Sequence, residues 1–176
     1  MRKNYRKVII LVTIMCMLVA SISLSGCSFL DQFRFNTPEG IPVKYEDISF
    51  QLPNDYAKSY LQDHHFAYYN GTFAIAGRGY TESDFMGIGT TIEDEEHFAQ
   101  FMMDLNPEYT FSELKEKDDY LYFSYEGVVN NISHTKLASV FKHKDTFYFI
   151  SMECETSNEY LLEDAFFEIM DTLEFK

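Results

Sequence analysis

Residues 133–153 decide the fold: SHTKLASVFKH (133–143), KD (144–145) and TFYFISME (146–153). Both longer segments are rich in β-branched and aromatic residues, and a two-residue polar link joins them, which predicts an antiparallel strand pair. One face of the second segment is apolar throughout. The other face is apolar at its start and turns polar at Ser151 and Glu153. The second segment is therefore expected to be a central strand that is covered on both sides at its beginning.

More strand candidates lie on the N-terminal side of this pair. Phe66 to Tyr69 and Thr72 to Tyr80 flank Asn70-Gly71, a strong hairpin signal. Gly77 and Gly79 interrupt the second arm and predict a bulge or a close backbone approach. The remaining candidates are Ile48 to Pro53, Thr110 to Glu116 and Tyr120 to Tyr125.

Two segments show helical patterns. Thr91 to Asp104 has acidic residues in its first turns and an apolar residue every three or four positions, with Thr91 as the expected cap. A final helix is expected to start near Thr156, which can form a capping box with Glu159. Thr172 to Phe175 is expected to close the chain as a short strand.

This order of elements predicts an α+β fold, an antiparallel β-sheet packed with two or three helices. The body resembles the PsbP-like group, which includes the PsbP subunit of the photosynthetic oxygen-evolving complex and bacterial envelope proteins such as DcrB. The resemblance rests on Phe50-Gln51-Leu52-Pro53, the aromatic strand pair around Phe141 to Phe149, and the C-terminal helix followed by Leu173-Glu174-Phe175. It implies an α/β/α sandwich and a non-catalytic accessory or binding role.

The charge of the chain is unevenly distributed. The 176 residues contain 14 Lys and Arg against 28 Asp and Glu, a net charge of −14, which argues against a nucleic-acid partner. Residues 1–26 contain Arg2, Lys3, Arg6 and Lys7 and no acid. Without these four cations the rest of the chain carries −18 instead of −14.

A basic start followed by the apolar run Val8 to Ile22 predicts a signal peptide over residues 1–26, because the run is short of the roughly 20 residues of a spanning helix. The run leads into Leu24-Ser25-Gly26-Cys27, which resembles the lipobox of bacterial lipoproteins. The resemblance implies cleavage before Cys27 and a diacylglycerol thioether on its sulfur, and two acyl chains anchor a protein firmly. The alternative is a secreted protein with a chance cysteine at this position.

The predicted domain organisation follows from this motif. Residues 27–44, with Pro38, Gly40 and Pro42, are expected to be a lipidated tether, and residues 45–176 a single globular domain on the extracytoplasmic face of the cell membrane. Cys154 is the cysteine that remains in the body, and it is expected to be a core residue rather than a nucleophile.

The sequence contains few candidates for chemistry. It has no Gly-x-Ser-x-Gly motif, and Ser133 and His134 are neighbours on a predicted strand, so they face opposite ways. We therefore predict no catalytic site.

Two pairs of residues are possible metal ligands. His64 and His65 are adjacent, and Glu93 and His97 are spaced to share one helix face. Neither has a second pair of ligands nearby in the sequence, so neither a metal nor a cofactor is expected.

The tyrosines suggest a binding surface. Tyr120 and Tyr122 share one face of a predicted strand, and this face is an interaction candidate if no other element covers it. We predict a lipid-anchored extracytoplasmic binding or accessory module without catalytic activity. Its expected partners are the membrane, through the anchor, and a protein or cell-envelope component. The alternatives are a structural subunit of an envelope complex and a hydrolase whose site is not visible in the sequence.

Overall fold

A computed structural model describes residues 40–176 of the chain. The predicted signal peptide, the lipobox residues Leu24, Ser25, Gly26 and Cys27, and the predicted tether up to residue 39 lie outside the described residues. In chain order, the elements are β1 (Ile41–Tyr45), β2 (Ile48–Leu52), β3 (Ala57–Lys58), β4 (Phe66–Tyr69), β5 (Ala74–Thr81), α1 (Glu82–Met86), α2 (Glu95–Asp104), β6 (Thr110–Phe111), β7 (Lys115–Lys117), β8 (Tyr120–Val129), β9 (Ile132–His143), β10 (Thr146–Glu155), a 3₁₀ turn (Thr156–Asn158), α3 (Glu159–Met170) and β11 (Glu174–Phe175).

The strand pair that decides the fold lies in the middle of the larger sheet. β9 and β10 pair antiparallel from His143↔Thr146 to His134↔Glu155. β5 pairs with the free edge of β10, and β8 with the free edge of β9. The eight-stranded sheet has the order β3-β4-β5-β10-β9-β8-β6, with β7 also paired to β8. The predicted central position of the second segment is confirmed.

One face of this sheet, here called the inner face, is covered by α3 and by a three-stranded sheet of order β1-β2-β11. Leu162, Phe166 and Ile169 lie on the buried side of α3, and each is at most 3% exposed. Their spacing of three and four residues is the one that predicts this apolar helix face.

The opposite face, here called the outer face, is covered in part by α1 and α2. The rings of Phe85 in α1 and Phe98 in α2 lie 6.0 and 5.2 Å from that of Phe147 in β10. Helices therefore pack on both faces of an antiparallel sheet, which confirms the α+β class and the sandwich layout. Among residues 40–176, no helix is long and apolar enough to cross a bilayer.

The predicted start of α2 is wrong, whereas the final helix starts near Thr156 as predicted but without the predicted cap. α2 begins at Glu95 rather than Thr91, because the Asp94 carboxylate accepts a hydrogen bond from the backbone N–H of His97 at 2.8 Å and caps the helix there. The predicted capping box at Thr156 is absent, since Thr156–Asn158 form a 3₁₀ turn and α3 begins at Glu159 without a side-chain cap.

Three further elements differ from the prediction. Residues 41–44, expected at the end of the tether, belong to β1, which pairs along its whole length with β2 and buries Val43 in the core. Helix α1 was not predicted, although a capping box between Thr81 and Asp84 marks its start. The strand expected over Thr110 to Glu116 is divided into β6 and β7.

At Gly77 in β5 the close approach is made by a side chain and not by a backbone. The ring of Phe66, its partner across the β4–β5 pair, occupies the space that a Cβ atom would need. The β5–β10 register runs without interruption, so the predicted bulge is not present there.

Candidate functional site

Beyond the end of α2 the outer face is open and forms a groove of about 540 Å³, which we call the outer-face groove. Its floor follows the cross-strand register. Ala76 lies opposite Ser151, and in the next row Ala74 lies opposite Glu153, which in turn lies opposite Lys136. Directly paired residues project from the same face, so β5, β10 and β9 together supply this floor.

Side-chain size explains why the groove exists at this place. Within β5, Ala74 and Ala76 share the outer face with Arg78 and Tyr80, and only the two alanines leave space above the sheet. α2 ends at Asp104, before it would cover this region. The walls include Leu61 and Leu105 at the rim and four aromatic residues, Tyr80, Tyr109, Tyr125 and Phe149.

A cation and an anion lie side by side in the floor. Lys136 Nζ is 2.6 Å from Glu153 Oε2, and their side chains are 18% and 34% exposed. Lys136 Nζ also lies 5.7 Å from the ring centroids of both Tyr109 and Tyr125, within the range of a cation–π contact. The half-buried pair therefore presents both signs of charge to anything in the groove.

The tyrosine beside this ion pair keeps its proton. Burial, reinforced by the negative charge of Glu153, raises the pKa of Tyr125 well above its usual range. Its hydroxyl is consequently a neutral group that can both donate and accept hydrogen bonds.

These features suit a small amphipathic molecule. The aromatic and aliphatic walls can bury an apolar body, while the ion pair, Ser151 and the Tyr125 hydroxyl can bind polar groups. His64 also lines the groove, but its Nδ1 lies 2.9 Å from the Gln62 carbonyl. No hydrogen bond joins Ser151 to a histidine within residues 40–176, so the groove holds no assembled Ser–His pair.

The face of Tyr120 and Tyr122 is covered, so the condition for an interaction surface there is not met. Tyr120 and Tyr122 project from the inner face of β8, and α3 covers this face. Tyr120 is 7% exposed, and the Tyr122 ring makes an edge contact with Phe167 of α3 at 5.1 Å. Burial raises the pKa of Tyr120. The alternation along the strand was predicted correctly, but the covering helix turns this face into core.

The structure separates the possible metal ligands. His65 stacks on Tyr45 at 4.6 Å and accepts a hydrogen bond from the Gly79 N–H, whereas its neighbour His64 faces the groove. Glu93 precedes α2 and His97 lies within it, so the two do not share a helix face. Within the described part of the chain, no three His, Cys, Asp or Glu residues are placed to hold a metal ion.

Three other residues considered in the sequence have structural positions. Cys154 is 2% exposed, and burial raises the pKa of its thiol, which confirms its assignment to the core. Ser133 and His134 are consecutive in β9, so their side chains project from opposite faces of the sheet.

The sequence contains a pattern that indicates the groove, although the prediction did not include the groove. Ser151 and Glu153 mark the point where the outer face of β10 turns polar, and Ala74-x-Ala76 places two small residues on the neighbouring strand. Together they indicate a stretch of sheet that no helix covers. The pairing of β10 with β5, which the sequence does not specify, is needed to bring the two signals together.

Comparisons with known proteins show the fold. No family model and no curated protein matches the chain. A crystal structure from Bacteroides thetaiotaomicron superposes with a TM-score of 0.55 at 11% identity, covering 79% of this chain but 49% of the other, so this chain spans about half its length. The solution structure of cyanobacterial PsbP from Synechocystis superposes with a TM-score of 0.54 at 13% identity, covering 81% of this chain and 96% of the other.

A crystal structure of LpqN, described as involved in cell envelope biogenesis of Mycobacterium tuberculosis, has a TM-score of 0.49 at 14% identity and covers 84% of this chain and 96% of the other. The superposition on cyanobacterial PsbP and the order of the strands show an α+β protein of PsbP-like architecture.

Proposed function

We propose that this protein is an extracytoplasmic binding module, held at the membrane by a lipid on Cys27, and that it takes a small amphipathic ligand in the outer-face groove. The observation that carries the proposal is the groove itself, where the Lys136–Glu153 pair lies in a floor kept open by Ala74 and Ala76. The leader and the lipobox Leu24-Ser25-Gly26-Cys27 support the location.

The composition of the groove favours binding over a purely structural role. A half-buried ion pair with aromatic neighbours loses hydration without contributing much stability, whereas well-packed apolar residues at the same positions would be neutral or stabilising. Such a pair is useful where a ligand with its own polar groups takes the place of water.

The test is a substitution that fills the groove with a large side chain from its floor. Ala74→Phe places a ring above β5, in the space that the ligand would occupy, and Ala57→Phe adds the same ring at an exposed position of β3. We expect native mass spectrometry of protein extracted from membranes to show a bound small molecule in the wild type and in Ala57→Phe. The same adduct should fall at least tenfold in Ala74→Phe.

Two results would contradict this proposal. An adduct retained undiminished in a folded Ala74→Phe variant would place the ligand elsewhere. A protein that carries no small molecule and is extracted with one stoichiometric protein partner would support a structural subunit of an envelope complex instead.

A further inference from the structure

The turn between β8 and β9 projects beyond the rest of the sheet, and exposed aliphatic residues flank its two asparagines. Val129 pairs with Ile132 across Asn130 and Asn131, both of which have positive φ (52° and 66°), so the two strands are joined by a tight two-residue turn. Val128, Val129 and Ile132 are 67%, 41% and 46% exposed. We call Val128–Ser133 the hairpin tip.

No neighbouring strand flanks the hairpin tip. β10 ends at Glu155, opposite His134, and β6 ends at Thr110, opposite Glu126, so the last two pairs of the β8–β9 hairpin have no partner on either side. Two residue pairs and a turn extend about 7–10 Å at the rise of an antiparallel strand. Residues 127–133 also carry no charge, in a chain with 42 charged side chains, 28 acidic and 14 basic.

The first residue of β1, Ile41, lies at the end of the sheet from which the hairpin tip projects. At one end of the molecule, Asp47 in the β1–β2 turn forms an ion pair with Lys144 in the β9–β10 turn at 2.9 Å. β1 then runs away from that end, since its first residue, Ile41, pairs with Leu52. Three residues after Leu52, Asp55 accepts a hydrogen bond from Asn70 in the β4–β5 turn at 3.0 Å. That turn lies at the end of the sheet where β10 finishes and the hairpin tip projects.

Two more exposed apolar side chains lie at this end. α3 starts after the 3₁₀ turn. In that turn the Thr156 hydroxyl accepts a hydrogen bond from the Thr135 hydroxyl of β9 at 3.2 Å, so α3 starts near this end of the sheet. Tyr160 and Leu161, in the first turn of α3, are 77% and 41% exposed. An aromatic residue with a polar tip is favoured at the level of lipid headgroups.

We propose that the hairpin tip inserts into the interface of the lipid bilayer and orients the body on the membrane. The inference rests on the proposed anchor at Cys27. Thirteen residues separate Cys27 from Ile41, so the start of β1 is at most about 50 Å from Cys27 along a fully extended chain. Three uncharged aliphatic residues on a projection of this length match the shallow depth at which interfacial segments bind.

Acidic residues limit the depth of insertion and the type of lipid. Glu126, Glu155 and Glu159 lie near the base of the hairpin tip, and anionic lipids repel them. Insertion should therefore be stronger in zwitterionic than in anionic bilayers.

The absence of tryptophan from the chain provides a direct test. Val128→Trp places a single fluorescent residue on the hairpin tip. Met86→Trp is the control, because Met86 is 70% exposed and lies in α1, which follows β5 at the opposite end of the sheet. Each variant, extracted from membranes, is reconstituted into phosphatidylcholine vesicles with or without bromine on the upper part of the acyl chains. We expect at least twofold quenching of Val128→Trp, none of Met86→Trp, and loss of the quenching when Val129→Asp is added to Val128→Trp.

Flotation of the vesicles separates the two proposals. Protein that floats with the vesicles while Val128→Trp remains unquenched would overturn membrane insertion of the hairpin tip and leave the lipid anchor intact. Protein that does not float would overturn the anchor and, with it, the membrane contact.

Discussion

At the scale of single residues, burial raises the pKa of two tyrosines that lie beside acidic side chains. Tyr125 is 8% exposed beside Glu153, and Tyr56 is 4% exposed beside Asp55, and burial raises the pKa of both phenols. A neutral Tyr125 hydroxyl is thus maintained in the wall of the groove far into the alkaline range. This property keeps a hydrogen-bond donor next to the Lys136–Glu153 pair.

The raised pKa of Tyr125 predicts an alkaline loss of stability. A folded-state pKa above the unfolded value of about 10 means that the unfolded chain releases the proton first. The stabilisation is complete below pH 10 and decreases as the pH rises from there toward the folded pKa.

Tyr125→Phe should therefore make the free energy of unfolding fall less steeply above about pH 10, by up to about 1.4 kcal/mol per pH unit. Urea unfolding at a series of pH values measures this slope. Tyr60→Phe, at a side chain that is 87% exposed, removes the same group and should leave the slope unchanged. Equal slopes for the wild type and Tyr125→Phe would contradict the assignment.

At the scale of elements, the position of a cap decides where α2 begins. Asp94 and Thr91 are both residues that favour N-caps, and the sequence pattern pointed to Thr91. The structure places the hydrogen bond on Asp94, because the helix must start where Phe98 and Met102 can reach the outer face of the sheet. Local capping preference allows a helix start at either Thr91 or Asp94, and the packing of α2 on the sheet determines which of the two is the cap.

Replacing each candidate cap tests this choice. Asp94→Ala should destabilise the protein by about 0.5–2 kcal/mol, since it leaves the His97 N–H without its acceptor. Thr91→Ala should change stability by less than about 0.5 kcal/mol. Chemical denaturation measures both values, and the reverse order would contradict the observed start of α2.

The strands were easier to predict than the functional surfaces. The alternation in β2, β8, β9 and β10 and the Asn70-Gly71 turn specify local structure, and the structure contains each of these elements. The role of Tyr120 and Tyr122 depended on whether α3 lies over them, and the groove depended on where α2 stops. Both depend on contacts between residues far apart in sequence, which periodicity does not encode.

At the scale of the whole molecule, the groove and the hairpin tip lie at the same end of one sandwich. The groove opens on the outer face, the inner face is sealed by α3 and the smaller sheet, and the hairpin tip projects from the end where β1 starts. The strongly acidic composition, −14 for the whole chain, repels anionic lipid. A covalent lipid and an uncharged tip would hold such a body at the bilayer.

The measurement that tests the account most directly is metabolic labelling with a radioactive fatty acid, followed by fractionation of the membranes. The account predicts that the wild type and Cys16→Ala incorporate label and sediment with the membrane. Cys27→Ala should lose the label completely, because the thioether needs the Cys27 sulfur. Label retained by Cys27→Ala, or a wild-type protein recovered without label, would contradict the lipid-anchored assignment.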